Sequence, residues 1–376
     1  MNLIETRRHL HAHPELGWTE TETTAFVAHR LREFGLAPSP LPGGVGLTCD
    51  IGPPGRTGVL LRADLDGLPL TDAKPVPYAS TVPGVCHACG HDVHTTVLLG
   101  VAERLIAGPP AGHVRLLFQP AEEKMPGGAL AALAAGALDD MALALALHCD
   151  PTVDVGQVGL REGSITAACD MVEIVLSGPG GHTSRPQNTV DLVYALGALI
   201  TGLPGVLSRR VDARSSLALV WGATAAGTAA NAIPSSASVA GTVRVLDHAA
   251  WERAPELVTE GAQQIVAAFG ASAEVRYRRG VPPVVNDPFA HRVLHDAVVS
   301  VLGEQGVVTS RQSLGGEDFG WFGEKVPSAM ARLGTRTPGG VTHDLHQPTF
   351  DVDEGCLEIG VAVLESAVRG YFAGTG

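Results

Sequence analysis

Residues 58–66, GVLLRADLD, begin as an apolar run and end in two aspartates. Further apolar runs follow at residues 114–118 and 141–147, and a helical pattern of apolar residues lies between them at 97–105. Apolar runs without polar alternation, separated by helices, are typical of strands buried on both faces of a parallel sheet. The sequence therefore predicts an α/β fold with a largely parallel sheet.

Each of these three runs leads into polar side chains. The first leads into Asp64 and Asp66, the second into Glu122 and Glu123, and the third into His148. In open α/β sheets ligands bind outside the carboxyl ends of the strands. The three strand ends therefore predict a functional site at one edge of the sheet.

The pattern changes at about residue 168. A strand, a helix, two strands, a helix and a strand are predicted at 171–176, 192–200, 217–221, 238–245, 249–269 and 275–277. That order, βαββαβ, is the ferredoxin-like α+β arrangement. Asp287 and Pro288 then predict an N-cap and first residue of a helix that returns to the first domain. The predicted domains are residues 1–167 plus 284–376, and an inserted domain at 168–283.

A helix is predicted in the first domain before the first apolar run. Thr19 and Glu22 have the spacing of a capping box, with Thr19 as the N-cap. Val27 and Leu31 lie on one face of this helix, and Gly35 marks its end.

Composition limits the classes of function. The chain has 376 residues, of which 45% are hydrophobic, and a formal charge of −13. This length accommodates two domains, and the acidic balance argues against nucleic acid and anionic membranes as partners. Without a signal-peptide core or an apolar stretch of about 20 residues, we expect a cytoplasmic protein. The six cysteines are then expected to be reduced.

The densest group of potentially reactive residues is at 87–94, HACGHDVH. Thiolate and imidazole are ligands that zinc and similar divalent metals prefer. Gly90 allows a tight turn in which Cys89 and His91 converge, and the following helix N-terminus favours Cys89 as a thiolate. A histidine-rich surface turn is the alternative.

Four more residues are candidates for metal chemistry. Adjacent carboxylates after a buried strand, as at Glu122 and Glu123, can serve a metallohydrolase, one by binding metal and the other by moving a proton. A solvated loop is the alternative for this pair, and a satisfied core histidine for His148. His346 is ambiguous by itself. Together Cys89, His91, Glu123, His148 and His346 exceed one tetrahedral zinc site and would suit two metals that share a ligand.

The sequence resembles the M20 metallopeptidase clan, and specifically its aminoacylase, hippurate hydrolase and indole-acetyl-amino-acid hydrolase subfamily. The resemblance extends over nearly the whole chain. Its motifs are found at 7–11 (RRHLH), 13–17 (HPELG), 61–69 (LRADLDGLP), 87–92 (HACGHD), 118–123 (FQPAEE), 180–186 (GGHTSRP), 231–234 (NAIP), 241–244 (GTVR) and 315–319 (GGEDF).

The resemblance implies roles for individual residues. The family's metal positions fall on Cys89, His91, Glu123, His148 and His346. Its general base falls on Glu122. His182 falls on a residue that stabilises the oxyanion, typically in the partner subunit, with a lid-surface histidine as the alternative. Asn231 and Arg244 fall on substrate-binding positions, although a structural ion pair is open for Arg244. The inserted domain matches the family's lid and dimerisation domain.

The implied activity is metal-dependent hydrolysis of N-acyl amino acids by a homodimer with two divalent ions, zinc, manganese, cobalt or nickel. A biosynthetic deacetylase of the N-acetyl-diaminopimelate or N-acetylcysteine type is an alternative, as is a non-catalytic metal-binding dimer. Gly67, where the family usually has alanine, Asp72, where it often has glutamate, and residues 124–128 depart from the family pattern. These departures leave the preferred acyl group open.

Overall fold

The structure is a computed structural model that describes residues 1–55 and 57–374. The chain forms two compact units. Unit 1 consists of Met1–Ile165, Val284–Arg311 and Asp318–Gly376, and unit 2 consists of Thr166–Pro283 and Gln312–Glu317. The short segment 312–317, predicted within the first domain, thus groups with the inserted one.

Helices and strands are numbered here along the chain. The helices are α1 (Leu3–Ala12), α2 (Thr21–Glu33), α3 (His91–Ala107), α4 (Ala129–Ala134), α5 (Leu192–Arg210), α6 (His248–Ala267), α7 (Pro288–Leu302), α8 (Gly320–Gly323) and α9 (Cys356–Gly374). The strands are β1 (Ser39–Pro40), β2 (Leu47–Ile51), β3 (Gly58–Asp64), β4 (Val114–Gln119), β5 (Met141–Asp154), β6 (Val158–Leu160), β7 (Gly163–Ser164), β8 (Ala168–Ser177), β9 (Gly181–His182), β10 (Ala218–Ala226), β11 (Ala232–Ile233), β12 (Ser236–Val245), β13 (Ser272–Val281), β14 (Val285–Asn286), β15 (Val307–Thr309) and β16 (Ser328–Arg336).

Unit 1 is built on an eight-stranded sheet in the order β1-β2-β4-β3-β5-β16-β6-β15. The central strands β4, β3, β5 and β16 run parallel to one another. Strand β2 runs antiparallel to β4 at one side, and β6 runs antiparallel to β16 at the other. The predicted α/β class with a largely parallel sheet is confirmed.

The central strands are buried on both faces. All seven residues of β3 are buried. Leu61 and Leu145 face a core that includes side chains of α2, α3, α7 and α9, whereas Leu60 and Ala146 face a second core that includes residues of α4 and α8. A fully buried leucine contributes about 1.5–3 kcal/mol, so cores on both faces fix the sheet and its carboxyl edge.

Strand β5 is longer than the sequence predicts. The apolar run ends at residue 147, but pairing with β16 continues β5 to Asp154. His148 therefore lies inside the strand rather than at its end. Arg62 of β3 pairs with Ala146 of β5, so His148 still lies level with Asp64, the last residue of β3.

The N-terminus of α2 is capped differently from the prediction. The hydroxyl of Thr19 donates to the carbonyl of Leu16 and caps no helix. The carboxylate of Glu15 instead accepts hydrogen bonds from the N–H groups of Glu22 (3.2 Å) and Thr23 (2.8 Å). The predicted capping box is wrong because Glu15, from the preceding loop, brings a full negative charge to the positive end of the helix.

Unit 2 has a four-stranded antiparallel sheet in the order β10-β12-β8-β13, with α5 and α6 packed on it. Its elements follow the chain order β8-α5-β10-β12-α6-β13, apart from the two-residue strands β9 and β11. The predicted ferredoxin-like arrangement is confirmed.

Helix α5 is long and apolar enough to span a membrane by length and composition alone. The expectation that no stretch approaches this limit was wrong. In the structure Leu196, Leu199 and Leu203 of this helix are buried within unit 2. Core helices of folded domains share this composition, so the helix is weak evidence for a membrane span.

Candidate metal centre

The loop before α3 turns sharply at Gly90, whose φ is 87°. A Cβ at this position would lie 2.6 Å from Sγ of Cys149, so the turn requires glycine for both its backbone conformation and its close approach. The turn places Cys89 and His91 in the interior, at 6% and 0% exposure. The predicted tight turn is confirmed, and the alternative of a surface turn is wrong.

Cys89 and His91 lie in overlapping clusters of potential metal ligands. The clusters are Cys89–His91–His148, Cys89–Glu123–His346 and His91–Glu122–Glu123, and in each the ligand atoms lie within 4.8 Å of one another. The structure thus brings together the five sequence-predicted ligands and Glu122. Clusters that share members have the arrangement expected for two ions with a common ligand.

Hydrogen bonds orient the histidines at this edge of the sheet. Nδ1 of His148 donates to the carbonyl of Cys149 at 2.7 Å, which leaves the Nε2 lone pair available to a metal. Nδ1 of His94 donates to Asp64 at 2.6 Å, and its Nε2 accepts the N–H of Cys149 at 2.8 Å. Because both ring nitrogens of His94 are used, His94 supports the cluster and is not a ligand.

Two carboxylates hold the turn that carries Glu122 and Glu123. Glu20 accepts the N–H of Ala121 at 2.7 Å. The two oxygens of Asp66 accept the N–H groups of Glu122 (3.1 Å) and Glu123 (3.0 Å). Ala121 has a φ of 55°, a left-handed conformation that costs of order 1–3 kcal/mol and occurs preferentially at functional sites. The three hydrogen bonds stabilise this conformation and so direct the two glutamates.

His346 is fixed by its backbone. Its φ is 59°, and its N–H donates to the carbonyl of Ala88 at 2.8 Å. Nε2 of His346 lies 3.1 Å from an oxygen of Glu123, although 54% of the His346 side chain is exposed. A loop far along the chain is thereby attached to the turn before α3.

Burial and negative charge set the protonation of the cluster. Burial alone would lower the pKa of His91, but Asp64 and Asp66 outweigh it and raise the pKa to about 10. Burial and the nearby carboxylates raise the pKa of the Cys89 thiol well above its usual range. Without a metal, burial and the carboxylates thus favour the neutral thiol and oppose the effect of the helix N-terminus, which favours the thiolate.

The same atoms fit divalent cations. Both ring nitrogens of His91 are buried, and neither has hydrogen-bond geometry to any described residue, although Nδ1 lies 3.3 Å from Asp66. Buried polar atoms without partners are uncommon and point to an absent ion or water. Sulfur, imidazole and carboxylate donors suit zinc, and the nitrogen and oxygen donors also accept manganese, cobalt or nickel.

A buried ion network supports the carboxyl ends of β3 and β4. The guanidinium of Arg62 donates to Asp64 (2.6 Å), Asp318 (2.7 Å) and the side-chain carbonyl of Gln119 (3.1 Å). The amide of Gln119 also donates to Asp318. Removing one member of a buried ion pair costs about 3–5 kcal/mol, so this network fixes Asp64 firmly.

A second network lies against the first turn of α3. Asp92 accepts hydrogen bonds from Arg7 at 2.7 Å and from His11 at 2.8 Å. Arg7 also binds Asp351 at 3.0 Å, which ties the C-terminal part of the chain to α1. The network thus joins the RRHLH and HACGHD stretches in the folded chain.

The remaining sequence-predicted site residues belong to unit 2. His182 is exposed on β9, and its Nδ1 accepts the N–H of Ser184 at 3.0 Å. Asn231 is a main-chain neighbour, since its carbonyl accepts the N–H of the residue after His182. Nη1 of Arg244 donates to the carbonyl of Leu314. Among the described residues Arg244 forms no ion pair, so that alternative is not supported.

Sequence reasoning noted Asp64 and Asp66 but assigned them no role, and it missed Glu20 and His94. Their roles depend on backbone N–H groups and imidazole nitrogens brought close by folding. The RADLD stretch and the third histidine of HACGHDVH were the available signals. The spacing of Glu20, 101 residues before its partner Ala121, gives no signal.

An α/β unit with shared clusters of potential metal ligands is the arrangement expected of a metal-dependent hydrolase. Residues 60–370 match the model of peptidase family M20/M25/M40, and the chain belongs to this family. The predicted family and the prediction of an enzyme are thereby confirmed.

Three similar proteins narrow the class of reaction. A Rhodococcus jostii protein named as a glutamate–cysteine ligase is 48% identical over 98% of this chain, but the chain spans only 46% of that protein. The N-acetyl-L-cysteine deacetylase of Bacillus subtilis is 37% identical over 98% of this chain and 88% of its own length. A solved dinuclear metal-binding M20 peptidase from Bacillus subtilis is 33% identical, covers 99% of this chain and 97% of its own, and has a TM-score of 0.87. These similarities support divalent-metal binding and amide hydrolysis.

Proposed function

We propose that this chain hydrolyses the amide bond of N-acyl amino acids and releases a carboxylic acid and a free amino acid. The observation that carries the proposal is the set of shared ligand clusters beside Glu122 at the carboxyl edge of the sheet. The proposed ligands of two divalent ions are Cys89, His91, Glu123, His148 and His346. The deacetylase relative supports an acyl group on the substrate nitrogen.

Glu122 is the proposed general base. It lies 4.0 Å from Nε2 of His91 and is adjacent to the proposed ligand Glu123. When bound, the ions would supply Lewis acidity and lower the pKa of water toward neutrality. Glu122 takes the proton of the attacking water and returns it to the leaving nitrogen. Asp66 positions Glu122 through its backbone N–H.

Unit 2 supplies the proposed substrate contacts. We assign oxyanion stabilisation to His182 and substrate binding to Asn231 and Arg244, on the strength of the family motifs alone. A homodimer formed through unit 2 and a cytoplasmic location belong to the same proposal. The six cysteines form no disulfide, which is compatible with a reducing compartment.

A deacetylase dedicated to N-acetylcysteine is the second candidate, favoured by two similar proteins of Bacillus subtilis that are N-acetylcysteine deacetylases. It uses the same reaction on a narrower set of substrates. A non-catalytic metal-binding protein is disfavoured because both the proposed base and the proposed ligands are present.

The test is release of free amine from N-acetyl, N-benzoyl and N-indoleacetyl amino acids, with N-acetylcysteine included. The protein is stripped of metal and reloaded separately with zinc, manganese and cobalt. Release from several members supports the general activity, and release from N-acetylcysteine alone supports the second candidate. No release from folded, metal-loaded protein would refute the proposal.

A further inference from the structure

Polar side chains form a row across the carboxyl edge of the sheet in unit 1. Gln119 on β4 pairs in register with Asp64 on β3, and His148 on β5 pairs with Arg332 on β16. The residues on either side of His148 and of Arg332 belong to the core on the face of α3 and α9. Since side chains alternate along a strand, His148 and Arg332 emerge together on the opposite face.

Arg332 is buried without an acidic partner. It is 8% exposed, and no described residue forms a hydrogen bond or ion pair with its guanidinium. The other two arginines that are buried in the described part of the chain, Arg7 and Arg62, are both paired with carboxylates. A guanidinium that no described carboxylate pairs, on a stem that the fold encloses, keeps its donors free for an anion from outside the chain.

The guanidinium of Arg332 is accessible to such an anion. None of its nitrogens is among the fully buried atoms that lack a partner, so the tip of the side chain reaches solvent. Its stem is enclosed, and its Cβ approaches Gly159, where an added side chain would come within 3.2 Å of it. An enclosed stem holds the charged group in place and lowers the entropy lost on binding.

We propose that Arg332 binds a carboxylate of the substrate beside the metal-ligand cluster. The inference rests on the proposed amide hydrolysis and identifies a specificity-determining residue for it. Guanidinium pairs with carboxylate through two parallel hydrogen bonds, which fixes orientation as well as charge. Arg244, the candidate from the family motifs, already donates to the carbonyl of Leu314. The carboxylate belongs either to the amino-acid backbone of the substrate or to a second acidic group.

The test compares the best N-acyl amino acid with its C-terminal amide, for wild type and for Arg332→Met. Charged hydrogen bonds are worth enough for a rise in KM of about 10–100-fold for the acid. We expect KM for the amide and kcat for both substrates to change by less than about twofold, because a contact that only binds the charged substrate affects KM for that substrate alone. Arg332→Lys should give an intermediate KM for the acid, because the lysine ammonium keeps the positive charge but cannot form the two parallel hydrogen bonds to a carboxylate.

Arg336→Met is the matched control. Arg336 lies on the same strand but binds Asp154 at 2.6 Å, so the same change of charge should leave both KM values unaltered. The melting temperature of Arg332→Met should stay close to that of wild type, because the substitution removes no hydrogen bond or ion pair to a described residue. The melting temperature thus distinguishes a loss of substrate binding from a loss of folding.

A second pair of substrates distinguishes the source of the carboxylate. If the backbone carboxylate is bound, the acid–amide selectivity of wild type is lost in Arg332→Met. If a second carboxylate is bound, the variant instead loses selectivity for N-acetylglutamate over N-acetylglutamine. An equal rise in KM for charged and neutral members of both pairs, or no rise at all, would overturn the role of Arg332. Absence of wild-type turnover on every substrate would refute the proposed function itself.

Discussion

Replacing Asp66 by asparagine tests how the candidate site is held. The two oxygens of Asp66 accept the N–H groups of Glu122 and Glu123 at 3.1 and 3.0 Å. Asparagine keeps one acceptor oxygen and turns an NH₂ group toward the other N–H, where two donors face each other. The variant therefore loses one of the two charged hydrogen bonds, and the other is left with a neutral acceptor.

The expected effect follows from the value of that bond. A hydrogen bond to a charged group contributes about 1.5–3 kcal/mol. The loss acts on the backbone that carries Glu123, a proposed metal ligand. Losing such a supporting contact typically costs 10–100-fold in metal affinity, so we expect a decrease of about that size.

The assay is a competition titration of metal-stripped protein against a chromophoric chelator. Glu15→Gln is the control, because Glu15 also accepts two backbone N–H groups but caps α2 and contacts none of the proposed ligands. Both variants should lose some stability, and Asp66→Asn alone should lose metal affinity. Equal metal affinity in Asp66→Asn and wild type would refute the assigned role of Asp66.

Three further predictions address the base, the buried acid and unit 2. Glu122→Gln should lower kcat by at least about 10²-fold with metal content unchanged, and activity above about a tenth of wild type would exclude Glu122 as the base. Burial raises the pKa of Glu20 to about 7. The folded chain thus binds more protons than the unfolded chain between pH 4.5 and 7, so the free energy of unfolding falls as pH rises through this range. Glu20→Gln should remove up to about 3 kcal/mol of that fall, measured by denaturant unfolding at each pH. The same pH dependence of stability in the variant and in wild type would contradict this prediction. If His182 acts on the partner's site, hybrids of His182→Ala and Glu122→Gln subunits should regain activity, and inactive hybrids would place His182 in its own subunit's site or outside catalysis.

Much of the fold was predictable because it depends on local pattern. Three largely apolar runs predicted β3, β4 and β5, and Asp287 does cap α7, as predicted. The N-terminus of α2 was not predictable, since Glu15 competes with Thr19 from outside the helix. The end of β5 was missed because the ladder with β16 extends the strand beyond its apolar residues.

The candidate site, like the fold, has a part that the sequence predicts and a part that it does not. Thiol, imidazole and carboxylate groups at strand ends identified the candidate ligands by their chemistry. The contacts that support these ligands could not be predicted, because Glu20 and Asp66 accept hydrogen bonds from backbone N–H groups, which nearly every residue type carries. Arg332 did leave a signal, a single charge within the apolar run 328–333, SAMARL, and its significance depends on the absence of a partner among the described residues.

The most direct test of the proposed activity is a metal titration followed by both bound metal and amine release. Metal-stripped protein receives manganese or zinc in measured equivalents, and turnover of the best N-acyl amino acid is recorded at each step. We predict no turnover without metal, turnover that follows occupancy up to two equivalents, and a failure of Cys89→Ser and His148→Ala to reach that occupancy. Full turnover by metal-free protein, or two bound equivalents with no turnover of any N-acyl amino acid, would contradict the proposed function.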